Sequence, residues 1–68
     1  MEEVINIFSD VFGTPFHEHD DFLERGGDSM MLKQIIRKLD HRFNKTLTEE
    51  IIENIEIISP HNIYQLYI

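Results

Sequence analysis

The sequence predicts an all-α fold, a four-helix bundle with a long loop between the first and second helices. Apolar residues recur at helical spacing in four separate segments, and residues that commonly begin or end helices lie between them. The chain has 68 residues and no cysteine. One small core must therefore be held by helix packing, without disulfides or thiolate metal sites. We expect residues 1–68 to form a single domain.

The first helix is expected from Glu2 to Phe12, with an apolar stripe formed by Val4, Ile7, Phe8 and Val11. Gly13-Thr14-Pro15 ends it, because glycine suits a helix C-terminus and proline cannot continue a helix. A loop of roughly fifteen residues follows, and loops of this length are often functional. We expect the loop to be anchored in the core by Phe16, Phe22 and Leu23.

The second helix has the clearest pattern in the chain. Asp28 or Ser29 can cap its N-terminus with a side-chain oxygen. Its apolar stripe is continuous and comprises Leu32, Ile35, Ile36, Leu39 and Phe43. This pattern predicts an amphipathic helix.

Two shorter helices complete the predicted bundle. Thr48 is a suitable cap for the third, and the acids after it suit the positive end of a helix dipole. Ser59 followed by Pro60 predicts the start of a fourth helix. The third helix is expected to direct four isoleucines inward: Ile51, Ile52, Ile55 and Ile58. The fourth is expected to carry three apolar residues: Ile63, Leu66 and Tyr67.

The charge distribution limits the possible partners. The net charge is -7 and apolar residues make up 41% of the chain. This composition permits folding and opposes binding to nucleic acid or to an anionic membrane. No long apolar stretch or basic leader is present, so we expect a cytoplasmic protein. All six cations lie between Arg25 and Lys45, so a basic centre lies between acidic flanks.

Ser29 stands at the expected start of the second helix, a favourable position for a phosphate ester. Unpaired backbone N–H groups and the helix dipole stabilise an anion there by about 0.3–1 kcal/mol. Gly26 and Gly27 leave room for an approaching enzyme and let the backbone turn sharply. The alternative is a flexible turn with an ordinary cap. A serine hydrolase is excluded, because the sequence offers no base-and-acid pair around Ser29.

The segment from Phe22 to Leu32, FLERGGDSMML, resembles the phosphopantetheine attachment site of peptidyl and aryl carrier proteins of nonribosomal peptide synthesis. The order of helix, long loop, Gly-Gly-Asp-Ser and three further helices is similar over nearly the whole chain. The resemblance implies an acyl-carrier-protein type of bundle. It also implies that Ser29, with Gly27 and Asp28 beside it, carries 4'-phosphopantetheine from coenzyme A.

The same resemblance implies a monomeric carrier rather than an enzyme. The carrier would hold an aminoacyl, aryl or acyl group as a thioester on the arm. A phosphopantetheinyl transferase with Mg²⁺ would attach the arm, and an adenylation or ligase enzyme would load it. A condensation or other acyl-transfer enzyme would then take the cargo. The second hypothesis is a helical protein-interaction module without a prosthetic group, which incubation with coenzyme A and a transferase would leave at unchanged mass.

The residues after Ser29 favour the peptidyl or aryl type. Fatty-acid carriers typically follow Asp-Ser with Leu-Asp and an acidic helix, whereas Met30, Met31, Lys33 and Arg37 follow here. By resemblance, Met30, Lys33 and Arg37 form the face that partner enzymes touch. The alternatives are a solvated face for the cations and core packing for the methionines, above all Met31. Residues 47–60 are about one helical turn longer than is usual in the family.

His17-Glu18-His19-Asp20-Asp21 is the one possible metal-binding segment in the sequence. Imidazole and carboxylate groups suit divalent ions. We nevertheless expect no metal site, because consecutive loop side chains point in different directions and no distant ligand is evident. His41 and His61 are expected on helix surfaces. Added Zn²⁺ should then leave thermal stability and helicity unchanged.

Overall fold

The computed structural model describes residues 1–68 and contains four helices and no strand. The helices are α1 (Glu2–Phe12), α2 (Ser29–Phe43), α3 (Glu49–Glu53) and α4 (Pro60–Tyr67). Helix α1 packs against both α2 and α4. The prediction of an all-α fold with four helices is confirmed. None of these helices combines the length and the apolar character needed to cross a bilayer.

The core includes the long loop as well as the helices. Its fully buried apolar side chains come from α1, the loop, α2 and α4, and they are Val4, Phe8, Phe22, Ile35, Leu39 and Ile63. Phe16 is buried too, with its ring centroid 5.4 Å from that of Phe8. Two loop phenylalanines therefore anchor the loop as predicted.

The prediction for the third loop anchor, Leu23, is wrong, because this residue is 57% exposed. Phe22 and Leu23 are consecutive residues of a turn, in which Leu23 N–H donates to Asp21 Oδ1 at 3.0 Å. Phe22 occupies the core, and the next side chain in the turn points to solvent. A leucine is thus exposed a few residues before the Gly-Gly pair.

The helix ends follow the expected signals. Gly13 ends α1 with a left-handed backbone of φ 87°, a conformation that glycine adopts readily. Asp28, Thr48 and Ser59 cap the other three helices, and each accepts the N–H of the residue three positions later. Of the two residues considered as the cap of α2, Asp28 has that role and Ser29 does not.

Helix α3 is shorter than the isoleucine pattern indicated. It has five residues, and the chain is irregular from there to Ser59. Ile58 is buried as predicted, and Ile52 and Ile55 pack partly against the core. The prediction for Ile51 is wrong, because this residue is 40% exposed. A helix of little more than one turn cannot place four isoleucines on one face.

A polar cluster connects the end of α2 to α4. The Tyr67 hydroxyl donates to Asp40 Oδ1 at 2.7 Å, and the same oxygen accepts Leu47 N–H at 3.2 Å. Burial raises the pKa of the Tyr67 hydroxyl far above its ordinary value, and the hydrogen bond to Asp40 raises it further. The hydroxyl therefore remains a proton donor to Asp40 at neutral pH.

Candidate functional site

Ser29 is the first residue of α2, and it is exposed. Asp28 precedes it and accepts Met31 N–H at 2.9 Å through Oδ1. The backbone N–H groups of Ser29 and Met30 have no acceptor within the protein. These donors and the positive end of the helix dipole suit a phosphate group attached to the Ser29 hydroxyl.

The three serines of the chain differ in what their hydroxyls do. Ser9 donates to the Ile5 carbonyl at 2.9 Å and accepts Phe16 N–H at 3.0 Å. Ser59 is 2% exposed and caps α4. The Ser29 hydroxyl makes no hydrogen bond within the protein and faces solvent. Ser29 is therefore the one serine whose hydroxyl is both accessible and free of a structural role.

The two glycines before Ser29 have different physical functions. Gly26 has φ +93°, in the left-handed region where residues with side chains are strained. A Cβ at this position would have no neighbouring atom within 4 Å. Gly27 lies against Phe22, and a Cβ at this position would overlap the Phe22 ring. Because Phe22 is fully buried, its ring has no free space to move into. The pair thus sets the turn and also allows close packing of the loop on the core.

Arg25 holds the loop together, a function that the sequence pattern did not reveal. Its guanidinium donates to the Pro15 carbonyl at 2.7 Å, to Asp20 Oδ2 at 3.1 Å and to Thr14 Oγ1 at 2.9 Å. The guanidinium carbon lies 4.2 Å from the centroid of the Phe16 ring. One feature of the sequence could have indicated this function: Arg25 is the single lysine or arginine in an acidic loop, so several carboxylates are near it in the chain.

A groove of about 680 Å³ begins at Ser29 and continues between α2 and the segment 47–53. Lys33 and Arg37 line it from α2, and Glu49 and Glu53 line it from α3. Its apolar lining consists of Leu32, Ile36, Leu47 and Ile52. Along α2 the groove extends as far as Asp40, which is about 16 Å at the rise of an α-helix. The groove can take an extended flexible chain that starts at Ser29.

The residues expected to touch partner enzymes are all accessible. Met30 is 71% exposed, and Lys33 and Arg37 are exposed as well. Ser29, Lys33 and Arg37 follow one another at intervals of four residues, so they share one side of α2. Neither cation forms an ion pair within the protein. Met31 packs partly against the core, in agreement with the alternative given for it above.

The histidine-rich part of the loop lies apart from this groove. His17 N–H donates to Asp20 Oδ2 at 2.9 Å, which fixes the loop backbone there. Glu18 Oε2 lies 3.2 Å from His19 Nε2 and 3.5 Å from Nδ1 of His61 in α4. The sequence indicates no distant ligand for this segment, but in the fold His61 lies beside it. No sequence spacing connects His61 to the loop, because the contact depends on how α4 packs.

The chain matches a family of known proteins over most of its length. Residues 2–63 match the model of a family described as a phosphopantetheine attachment site. The match runs from the start of α1 into α4 and includes the whole loop and Ser29. No curated protein and no solved structure matches the chain.

Proposed function

The chain belongs to the phosphopantetheine attachment family, and from this membership we propose that Ser29 carries the arm of a peptidyl or aryl carrier protein. Members of the family carry 4'-phosphopantetheine as a prosthetic group, so the protein is a phosphopantetheine-dependent carrier. We take residues 1–68 as one carrier domain and assign no catalytic step to it. One observation carries the assignment: Ser29 alone among the serines has an exposed hydroxyl without a partner.

The residues at the start of α2 fit a phosphodiester. Ser29 and Met30 offer backbone N–H groups that have no other acceptor. Asp28 is the nearest acid in sequence, and its Oδ1 accepts Met31 N–H. When attached, the arm supplies the thiol for an aminoacyl, aryl or acyl thioester. The chain has no cysteine with which to supply one.

Loading of Ser29 requires an activated hydroxyl. In that reaction Ser29 Oγ forms a bond to the phosphorus of coenzyme A that bears the pantetheine arm. The phosphoanhydride bond breaks and releases adenosine 3',5'-bisphosphate, and the hydroxyl proton passes to a base. No side chain of this protein is hydrogen bonded to the Ser29 hydroxyl. We therefore assign the base and the Mg²⁺ to a phosphopantetheinyl transferase. The contribution of this chain is to present the hydroxyl without competing contacts.

The proposed partner face consists of Met30, Lys33 and Arg37. Its support is the exposure of Met30 next to Ser29 and the absence of ion pairs at both cations. Unpaired cations attract an acidic partner surface, and an exposed methionine adapts to apolar surfaces of different shape. The proposed partners are the transferase, an adenylation or ligase enzyme, and a condensation or other acyl-transfer enzyme.

Mass spectrometry tests the proposal directly. The 68-residue chain is incubated with coenzyme A, Mg²⁺ and a broad-specificity phosphopantetheinyl transferase. We expect the intact mass to rise by one arm, and tandem spectra should place that arm on Ser29. An unchanged mass would favour the interaction module without a prosthetic group. An arm on Ser9, Ser59 or a threonine would overturn the assignment of Ser29 and leave the carrier function intact.

A further inference from the structure

A cluster of metal-ligating side chains lies where the loop meets the start of α4, outside the groove at Ser29. Glu18 Oε2 is 3.2 Å from His19 Nε2 and 3.5 Å from His61 Nδ1, and the three atoms all lie within 4.8 Å of one another. The two imidazole rings have centroids 4.7 Å apart. We propose that Glu18, His19 and His61 form a Zn²⁺ site.

The two separations from Glu18 to the histidines match those between ligands of a tetrahedral ion. Bonds of about 2.0–2.2 Å to nitrogen and oxygen place neighbouring ligand atoms of a tetrahedron about 3.4 Å apart. The distances from Glu18 Oε2 to His19 and to His61 are on both sides of this value. The side chain of His19 is 73% exposed, so it is free to rotate towards His61. The fourth position of the tetrahedron remains open to water.

The backbone brings the ligands together before any ion binds. His61 N–H donates to the Glu18 carbonyl at 2.9 Å, and Phe22 N–H donates to the Ile58 carbonyl at 2.7 Å. These two hydrogen bonds fasten the loop to the start of α4. The sequence predicts no metal site, because neighbouring loop side chains point in different directions and no distant ligand is evident. With the loop fastened to α4, neither reason applies to Glu18, His19 and His61. The ion needs to order only three side chains.

The two acids that follow His19 have other partners. Asp20 pairs with Arg25 at 3.1 Å and accepts His17 N–H, while Asp21 accepts Leu23 N–H. The donor set is thus two nitrogens and one oxygen. Mg²⁺ and Ca²⁺ prefer oxygen ligands only, whereas imidazole with carboxylate suits Zn²⁺. The site therefore discriminates against the Mg²⁺ that loading of Ser29 requires.

A Zn²⁺ ion here would connect the loop to α4. A ligand that binds only the native state raises stability, so the melting temperature should depend on Zn²⁺ concentration. For a chain of this size, Zn²⁺ at ten times its dissociation constant should raise Tm by roughly 5–10 °C. The Ser29→Ala variant should respond equally, because the site does not depend on the prosthetic group.

The test uses the tag-free 68-residue chain after chelator treatment, titrated with ZnCl₂ in calorimetry and in thermal melts. We expect one saturable equivalent of Zn²⁺ and no displacement by excess Mg²⁺. Binding should weaken at least tenfold in His19→Ala, in His61→Ala and in Glu18→Gln. His17→Ala, in the same loop, and His41→Ala, on α2, are the matched controls and should bind as the parent chain does.

Histidine-resolved NMR provides a second measurement that does not depend on the folding of the alanine variants. Zn²⁺ should shift the imidazole resonances of His19 and His61 and leave those of His17 and His41 in place. The proposal is overturned if no saturable binding occurs. It is equally overturned if the three ligand variants bind as the parent chain does, if the His17→Ala control loses binding to the same extent, or if His17 shifts instead of His61.

Discussion

The two ends of helix α2 differ in how fully their polar groups are used within the protein. At the start, Ser29 and Met30 have N–H groups without an acceptor, and Lys33 has no ion pair. At the end, Asp40 accepts two hydrogen bonds, and Arg42 forms an ion pair with Glu3. The start of α2 therefore has polar groups free to bind other molecules, whereas the polar groups at its end bind to other parts of the fold.

This difference divides the basic stretch of the sequence into two groups. Arg25 and Lys45 both donate to backbone carbonyls, Lys45 to that of Leu66 at 3.0 Å. Lys33 and Arg37 make no such contact and line the groove that begins at Ser29. Cations that are equivalent in a charge count thus have different surroundings in the fold. Substitutions at the start of α2 should alter loading, and those at its end should alter stability.

The largest effect is expected for Ser29→Ala, which should abolish attachment of the arm. However well it folds, the variant lacks the hydroxyl oxygen that attacks coenzyme A in the proposed reaction. Its free energy of unfolding should change by less than about 0.5 kcal/mol, since Asp28 caps the helix and Ser29 is exposed. Intact mass and urea unfolding measure the two effects. Thr46→Ala, at another exposed hydroxyl, is the control and should load normally.

At the other end of α2, Asp40→Ala should lower the free energy of unfolding by about 2–3 kcal/mol. The substitution removes the acceptor of Tyr67 O–H and of Leu47 N–H. Asp40→Asn keeps an acceptor oxygen and should lose less than half as much. Loading of the folded protein should proceed at the parent rate in both variants. A loading defect larger than the stability loss would contradict the division between the two ends.

Gly27→Ala is an exception to this division. Gly27 lies beside the start of α2, yet its substitution should lower stability. Its Cβ would overlap the buried Phe22 ring, and such overpacking costs about 1–3 kcal/mol. Gly26→Ala is the matched control, with open space but a left-handed backbone, and should cost about 1 kcal/mol. Urea unfolding measures both variants. A smaller loss at Gly27 than at Gly26 would show that the Phe22 ring moves aside.

Much of the fold could be predicted because the signals were local. Caps and stop signals at Gly13, Asp28, Thr48 and Ser59 act within one turn of their helix. The errors at Leu23 and Ile51 have a common cause. Both lie where regular periodicity fails, in a turn and in a helix of five residues, so the spacing of apolar residues no longer indicates the side-chain direction.

The position of Ser29 at the helix start was predictable for the same local reason, and its function as the attachment residue stays a proposal. The contacts of Arg25 with Pro15 and Thr14 were not predictable, since they join residues ten and eleven positions apart across an irregular loop. The meeting of His61 with Glu18 depends on the packing of α4 against the loop. Such contacts follow from the assembled fold and have no signature in the chain.

Tyr67, which donates to Asp40 near the end of α2, should make the free energy of unfolding depend on pH. Its pKa in the folded protein lies above the ordinary value of about 10, chiefly because the hydroxyl is buried. The stabilisation that the protonated Tyr67 hydroxyl contributes is therefore complete below pH 10. It is lost as pH rises further, by up to about 1.4 kcal/mol per pH unit. Urea unfolding at pH 9 and pH 11 should show this loss. Tyr67→Phe should reduce it, whereas the control Tyr64→Phe should leave it unchanged.

The smallest effect on stability is expected when Lys33 and Arg37 are both changed to Glu. Exposed, unpaired charges contribute little to folding, so the free energy of unfolding should change by less than about 1 kcal/mol. Loading by the transferase and by a cognate ligase should slow by roughly tenfold at low salt, because long-range attraction between the partners is reversed.

The decisive measurement for this double variant is the salt dependence of its loading rate. Added salt screens exposed charges, so the rates of parent and variant should converge as ionic strength rises. Lys38→Glu is the control, since Lys38 is exposed on α2 but does not line the groove. It should slow loading far less than the double variant. Equal rates for the parent and the double variant at low salt would show that Lys33 and Arg37 are only a solvated face. Partner enzymes would then contact the start of α2 through Ser29 and Met30 alone.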